Sequence, residues 1–191
     1  HETLRAAIEW SHDLLSTAEQ VMLRRLSVFA PGFTLTAVEA VCAGDGIERG
    51  HVLDLLASLV DRSLVVAETL EQAEARYSLL GTIRQYAQEG LIASGEGSET
   101  RDRHLSCYLL LIEGTDTKLR GKYQQLWLDW LEGQYGNFRA ALSWALESDQ
   151  IETGLRMGIA LYQFWTIRDY VEEGLAWLER LLAGADGSVS V

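Results

Sequence analysis

The sequence predicts a mainly α-helical chain with one small β-hairpin, built in two parts. Three observations carry that prediction. Apolar residues recur at helical spacing along most of the 191 residues, with a single proline to interrupt them. Between Tyr77 and Leu91 the period changes. Arg76 to Leu80 alternate like a strand, Tyr77 and Leu79 to one side and Arg76 and Ser78 to the other; then Ile83, Tyr86, Ala87 and Leu91 share one helical face. Gly81 and Thr82 stand at the switch, where a turn residue and a capping hydroxyl belong. Finally, the second half contains a self-similarity at a shift of 33 residues.

Taken in order, Thr3 is placed to cap a first helix with Leu4, Ile8 and Leu15 on its apolar face and Trp10 close by. Ser16 and Glu19 form the S-x-x-E of a capping box ahead of Met22, Leu23, Leu26 and Phe29, and Pro31-Gly32 ends that second helix. Thr34 or Thr36 starts a short third helix with Leu35, Val38 and Val41 inward, broken by Gly44-Asp45-Gly46. A fourth runs from about Glu48 to Asp61 with Val52, Leu55, Leu56 and Leu59 on one side. Leu64 to Ala67, a polar tip at Glu68 to Glu74 and the strand from Arg76 to Leu80 then read as a hairpin. Helix, helix, turn, helix, hairpin is the order of a winged-helix domain, here residues 1–95.

ASGEGS, Ala93 to Ser98, reads as a linker. Beyond it Leu105, Tyr108, Leu109 and Ile112 mark one helix, and after Gly121 another carries Leu126, Trp127, Trp130 and Leu131. GNFRAALSWAL (Gly136 to Leu146) superposes on DYVEEGLAWLE (Asp169 to Glu179), so that Ala141 lands on Gly174, Phe138 on Val171 and Leu128 on Leu161. A period near 34 with a small residue at a helix crossing predicts a tetratricopeptide-like (TPR-like) antiparallel helical array over residues 99–184. Gly174 fits the crossing, whereas Tyr162 occupies the position that wants glycine in the preceding helix, so the repeats are degenerate. Residues from Gly184 on are expected to fray.

The bulk properties limit function. A hydrophobic content of 48% with mean hydropathy near zero is that of a globular chain, and no apolar run approaches the ~20 residues of a membrane span. The chain begins with His1 and is read as a piece of a longer, cytoplasmic protein. Cys42 and Cys107 are read as buried thiols. The net charge is −12: residues 1–97 carry 7 arginines against 14 carboxylates, and the remainder 9 basic against 14 acidic residues. Neither part has the electrostatic footprint of a phosphate binder.

The fourth helix holds the place of a recognition helix, yet it presents Glu48, Arg49, His51 and Asp54, and the hairpin tip carries Glu68, Glu71 and Glu74. Carboxylates at both surfaces repel a duplex, so this winged helix is expected to face protein, with Arg49 and His51 as partner contacts. Trp127, Trp130, Trp144, Trp165 and Trp177 recur at helical spacing and read as core, any surplus being a partner surface, with Trp130 and Trp165 the candidates. No metal-ligand spacing involves the four histidines, and no nucleophile–base motif or Lys-Ser/Thr phosphate loop occurs, so neither an enzyme nor a resident cofactor or metal is expected in this segment.

TLRAAIEWSHDLLSTAEQVMLRRLSVFAPGFTL, LLASLVDRSLVV and YSLLGTIRQYAQEGL resemble the winged-helix part of bacterial STAND-class (NB-ARC-like) signal-transduction ATPases, found beside LuxR-type output domains. WLDWLEGQYGNFRAALSWALES and YQFWTIRDYVEEGLAWLERLL are similar to the start of their TPR-type sensor arm. The resemblance implies an upstream nucleotide-binding domain carrying ADP or ATP as partner in the same chain, with the winged helix as its nucleotide-dependent lid. It further implies that a protein or small-molecule inducer binds the helical repeats. The Met-His-Asp motif by which relatives touch the nucleotide falls on Leu79, Leu80 and Gly81, without its histidine, which leaves Leu80 as a packing residue. Arg84 is then the candidate nucleotide-side or interdomain contact, against the plainer reading of a locally bonded surface arginine. A DNA-binding winged-helix regulator and a plain TPR-like scaffold are the alternatives.

Overall fold

A computed structural model describes residues 2–68, 74–119 and 121–188. The chain divides into two compact units, His1–His104 and Leu105–Val191.

In the first unit, helices α1 (Glu2–Asp13) and α2 (Thr17–Leu26) are followed by β1 (Phe33–Thr34), α3 (Leu35–Cys42) and, after a 3-10 turn at Arg49–His51, α4 (Val52–Asp61). Strands β2 (Val66–Glu68) and β3 (Arg76–Ser78) lead to α5 (Gly81–Ser94). The capping box at α2 is present: Ser16 Oγ accepts from Glu19 N at 3.3 Å and Ser16 N donates to Glu19 Oε2 at 2.6 Å. The Glu19 carboxylate also accepts from Ser58 Oγ on α4, so one local cap ties two helices together. Thr34 rather than Thr36 caps α3, its hydroxyl accepting from Ala37 N at 3.3 Å.

The sheet has three antiparallel strands in the order β1-β3-β2, with Phe33 opposite Tyr77 and Ala67 also opposite Tyr77 from the other side. The hairpin is therefore one strand wider than its sequence indicates, because two residues are too few to show a period. α2 is the hub of the core: Met22, Leu23, Leu26, Phe29, Phe33, Val41, Val52, Leu56, Leu59 and Leu91 are all buried, with the Phe29 and Phe33 rings stacked at 4.8 Å. Several apolar residues take the outer side instead. Trp10, Leu4 and Leu80 are exposed and Leu55 is half-buried, so Leu80 caps α5 by backbone geometry alone and is not a packing residue. Thr82 likewise lies inside α5 and caps nothing. The segment expected to be a linker is a tight turn: Gly95, at φ 78°, ends α5 and α6 (Gly97–Glu113) begins at once.

The second unit contains the end of α6, α7 (Asp116–Leu119), α8 (Gln124–Glu147), α9 (Ile151–Ile167) and α10 (Val171–Ser188). α9 and α10 run antiparallel, joined through Asp169 at φ 62°. Glycines set their spacing. A Cβ on Gly154 would lie 2.5 Å from Leu181 Cδ2, on Gly158 2.7 Å from Leu178 Cδ2 and on Gly184 2.7 Å from Ile151 Cδ1, while one on Gly174 would enter the Trp165 ring. Gly174 thus stands at a helix crossing as its position in the repeat requires. Its counterparts on α9 are Gly154 and Gly158 rather than Tyr162, which is exposed.

The self-similar segments differ in one respect that matters. Residues 168–170 form a turn, but the positions 33 earlier, Tyr135-Gly136-Asn137, lie inside the unbroken α8. Tyr135 and Asn137 are buried there, and a turn would unpack both. The similarity therefore repeats a helix face and not a whole hairpin. Residues beyond Gly184 continue α10 to Ser188, because Gly184 packs on Ile151.

Gly174→Ala is expected to destabilise the fold by about 1–3 kcal/mol, since a rigid indole has nowhere to move. Gly81→Ala, whose Cβ meets open space, should stay within about 0.5 kcal/mol. Urea unfolding followed by tryptophan fluorescence distinguishes the two.

Candidate functional site

α4 stands where a recognition helix stands, and the residues it turns outward decide what it can meet. Leu53 is 50% exposed, and Asp54, Ala57 and Asp61 share the exposure. At its N-terminal end Glu48, Arg49 and His51 are exposed, and a shallow cavity of about 320 Å³ opens between Ala18, Ile47, Glu48, His51, Asp54 and Leu55. Arg49 and His51 are both exposed at this end of α4, but only His51 lines the cavity. Both lie beside carboxylates. The Arg49 guanidinium donates twice, at 3.2 Å, to Glu39 on α3, and His51 Nδ1 lies 3.8 Å from the Glu48 carboxylate. The hairpin adds Glu68, opposite Arg76, and Glu74, which accepts from Thr36 Oγ1 at 3.2 Å. Glu71 lies outside the described residues.

Arg24, Arg25 and Arg62 of this unit also lie beside its own carboxylates, Arg25 enclosed and Arg62 still exposed. Arg25 is 2% exposed, and its guanidinium donates to the carbonyls of Cys42 at 2.8 Å and Gly44 at 2.6 Å and to Glu96 at 3.2 Å. Arg24 donates to the same carboxylate at 2.9 and 3.1 Å. These guanidinium bonds, Arg24 first and Arg25 next, hold the Glu96 carboxyl down at about 2. Arg62 reaches Glu19 at 3.7 Å. Arg84 on the first turn of α5 is half-buried, donates Nε–H to the Ser27 carbonyl at 3.2 Å, and makes no ion pair among the described residues. Burial lowers its pKa from the usual arginine value.

In the second unit the two candidate tryptophans part company. Trp165 is a core residue, 2% exposed, whose indole N–H donates to the Tyr135 hydroxyl at 2.8 Å. It fills the space that Gly174 leaves and has no surface to give a partner. Trp130 is half-exposed, edge-on to Trp127, which itself lies under Lys118 Nζ at 3.9 Å. A larger open groove of about 630 Å³ follows the outer side of α9 past Ile159, Tyr162, Gln163 and Ile167, closed at one end by the Arg156–Glu113 ion pair. Leu53 and Ile159 were not among the sequence candidates. Each sits one or two residues off the apolar face of its helix, where a wheel assigns solvent.

Among the described residues no group of three His, Cys, Asp or Glu side chains could hold a metal ion, and no helix is long and apolar enough to cross a membrane. Residues 15–92 match the winged helix-turn-helix domain family. Over 181 residues, 95% of this chain, the sequence is 41% identical to proteins of Mycobacterium bovis and Mycobacterium tuberculosis provisionally named HTH-type transcriptional regulators. The chain spans 20% of the length of those relatives. An uncharacterized Mycobacterium tuberculosis protein is 44% identical over 104 residues, 54% of this chain and 26% of its own length. No solved structure matches.

Glu96→Ala would leave the enclosed Arg25 cation without its carboxylate and is expected to cost about 3–5 kcal/mol in urea unfolding. Because the Glu96 carboxyl is held near 2 against 4.5 when unperturbed, its stabilisation is complete above about pH 4.5 and is lost as pH falls toward 2. Glu96→Gln should flatten that acid limb of the unfolding midpoint.

Proposed function

We propose that this chain serves as a regulatory segment of a transcription regulator, with its winged helix turned toward protein rather than toward a duplex. The winged helix-turn-helix match over residues 15–92 and the 41% identity to proteins named as regulators support the first part. One observation carries the second: on and around α4 the exposed carboxylates Glu48, Asp54 and Asp61 stand beside an arginine already bonded to Glu39. A duplex requires cations free to displace condensed counterions, and a carboxylate-lined face opposes it.

In the finer form of this reading the longer protein is a STAND-type, NB-ARC-like ATPase of the LuxR-related kind, holding ADP or ATP in a separate module. The winged helix is a lid on that module, and the helical unit is a TPR-like arm that takes a protein or small-molecule inducer. The segment itself is not an enzyme. Arg84 is the residue suited to feel the nucleotide state, because a half-buried guanidinium held by one carbonyl bond is readily drawn to a stronger acceptor. With the nucleotide module present, exchanging ADP for ATP should change hydrogen-exchange protection across the first turns of α5, and Arg84→Ala should abolish the difference. Identical protection in both nucleotides would count against the lid.

The names of the relatives favour a second reading, direct DNA binding through α4. Fluorescence anisotropy of a labelled duplex separates the two. Non-specific duplex binders show dissociation constants of roughly 10⁻⁴–10⁻⁶ M. The chain is expected to give no saturable signal in that range at low salt, and Asp54→Lys with Asp61→Lys to create one. Duplex binding by the unaltered chain that weakens steeply with salt and is lost on Arg49→Ala and Arg62→Ala would overturn the protein-facing reading.

A further inference from the structure

The chain contains only two lysines, and they lie close together. Lys118 and Lys122 flank Arg120 in the run KLRGK, which gathers three basic residues in a chain of net charge −12. Arg120 lies outside the described residues. Three other arginines of this unit, Arg139, Arg156 and Arg168, each bond a carboxylate. The lysines differ. Among the described residues neither makes an ion pair; Lys118 Nζ lies over the Trp127 ring at 3.9 Å and Lys122 Nζ over the Tyr123 ring at 5.7 Å. A ring attracts an ammonium but accepts no full hydrogen bond, so the N–H donors of both are left to solvent or to an anion.

These cations border an apolar stripe. Tyr123, Leu126, Trp127 and Trp130 fall at i, i+3, i+4 and i+7 along the start of α8. Tyr123 and Leu126 are 64 and 67% exposed, and both indoles are half-buried. The turn that carries the lysines is anchored: Leu119 is buried, and Gln124 Nε2 donates to its carbonyl at 2.7 Å. The positive end of the 24-residue α8 begins at Gln124 and adds to the same field. The carboxylates that follow along α8, Asp129 and Glu132, are already engaged by Arg168 and Tyr170.

The charge here is complementary to an anion, and the size of the patch limits which one. A duplex presents a charge about every 1.7 Å along its axis, and an anionic membrane is a continuous sheet. Either would run past the basic residues onto Asp129, Glu132 and the rest of an acidic chain. A small free anion would leave Tyr123 and Leu126 uncovered. A short peptide segment meets both requirements, because a few carboxylates answer the lysines while neighbouring apolar side chains cover the stripe.

We infer that the start of α8, with the turn before it, docks a short acidic segment of a partner protein whose carboxylates meet Lys118 and Lys122 and whose apolar side chains cover Tyr123 and Leu126. This goes beyond the function proposed above and holds whatever α4 meets and whether or not a nucleotide module is present.

The test titrates the full chain into labelled peptides of about 12 residues and reads anisotropy. One peptide carries leucines flanked by glutamates, a second has lysine for each glutamate, and a third has serine for each leucine. The glutamate–leucine peptide should bind at least about tenfold tighter than either control, and more weakly as salt is raised. Lys118→Glu with Lys122→Glu should abolish binding, with circular dichroism checking the fold. Lys122→Glu alone, at an exposed position, should weaken it about tenfold and serves if the double variant does not fold. Leu126→Ser should weaken it as well. Equal binding of the three peptides, binding of none, or indifference to Lys122→Glu would overturn the inference. Tighter binding of phosphatidylserine vesicles or of a labelled oligonucleotide, lost in the same variant, would do so in favour of a membrane or a nucleic acid. Self-association in sedimentation that Lys122→Glu dissociates would make a second copy the occupant instead.

Discussion

One enclosed cation in the first unit ties α2 to the end of α3, to the turn that follows it and to the segment after α5. Arg25, in the last turn of α2, meets the end of α3 and the turn that follows, donating to the carbonyls of Cys42 and Gly44. The turn itself is made by Gly44, Asp45 and Gly46, which all adopt positive φ. The remaining charge is answered by Glu96, just beyond α5, which Arg24 holds from its other side. Arg103 continues the pattern from α6, donating to the Ala43 carbonyl at 2.8 Å and the Asp45 carboxylate at 2.7 Å. Three helices and a strained turn are thereby bonded to one another through guanidinium groups. A buried charge holds only when its bonds are this complete.

That arrangement has a consequence for recognition. Arg24, Arg25, Arg49 and Arg62 each lie beside a carboxylate of the same unit, Arg24 and Arg25 largely covered and Arg49 and Arg62 at the surface. What remains outside on α4 is Asp54 and Asp61 with the apolar Leu53 and Ala57. That balance of charge is what supports the protein-facing reading proposed above.

The helical unit obeys a different constraint, the distance between α9 and α10. Gly154, Gly158, Gly174 and Gly184 let the two axes approach until side chains of one helix lie on the backbone of the other. Trp165 occupies the largest gap so formed, and its N–H is satisfied by Tyr135 on α8. Burial, with the nearby Glu173 charge, raises the Tyr135 phenol above its usual range and keeps it a neutral partner. Arg139 stacks over the Tyr135 ring at 4.3 Å while bonding Glu173, closing the solvent edge of the same cluster.

How much of this was legible beforehand follows from the range of each signal. Ser16 and Glu19, the helix faces around Met22 and Leu56, the change of period after Tyr77 and the small residue at Gly174 are all local patterns, and a local pattern specifies local backbone by itself. β1 was not legible, since Phe33 and Thr34 become a strand only by pairing with Tyr77 and Arg76 far along the chain. Nor could periodicity show that α8 runs unbroken through Gly136, that Trp10 and Leu80 face outward, or that Trp165 is core and not surface. Each of those depends on which neighbour arrives from elsewhere. The sequence alone determined the start of α2 at Ser16, the apolar faces around Met22 and Leu56 and the acidic balance of the chain, because these follow from residue types and spacing. Only the tertiary structure decided which charges are already bonded and which apolar residues are covered by a partner helix, because pairing and packing are properties of elements brought together.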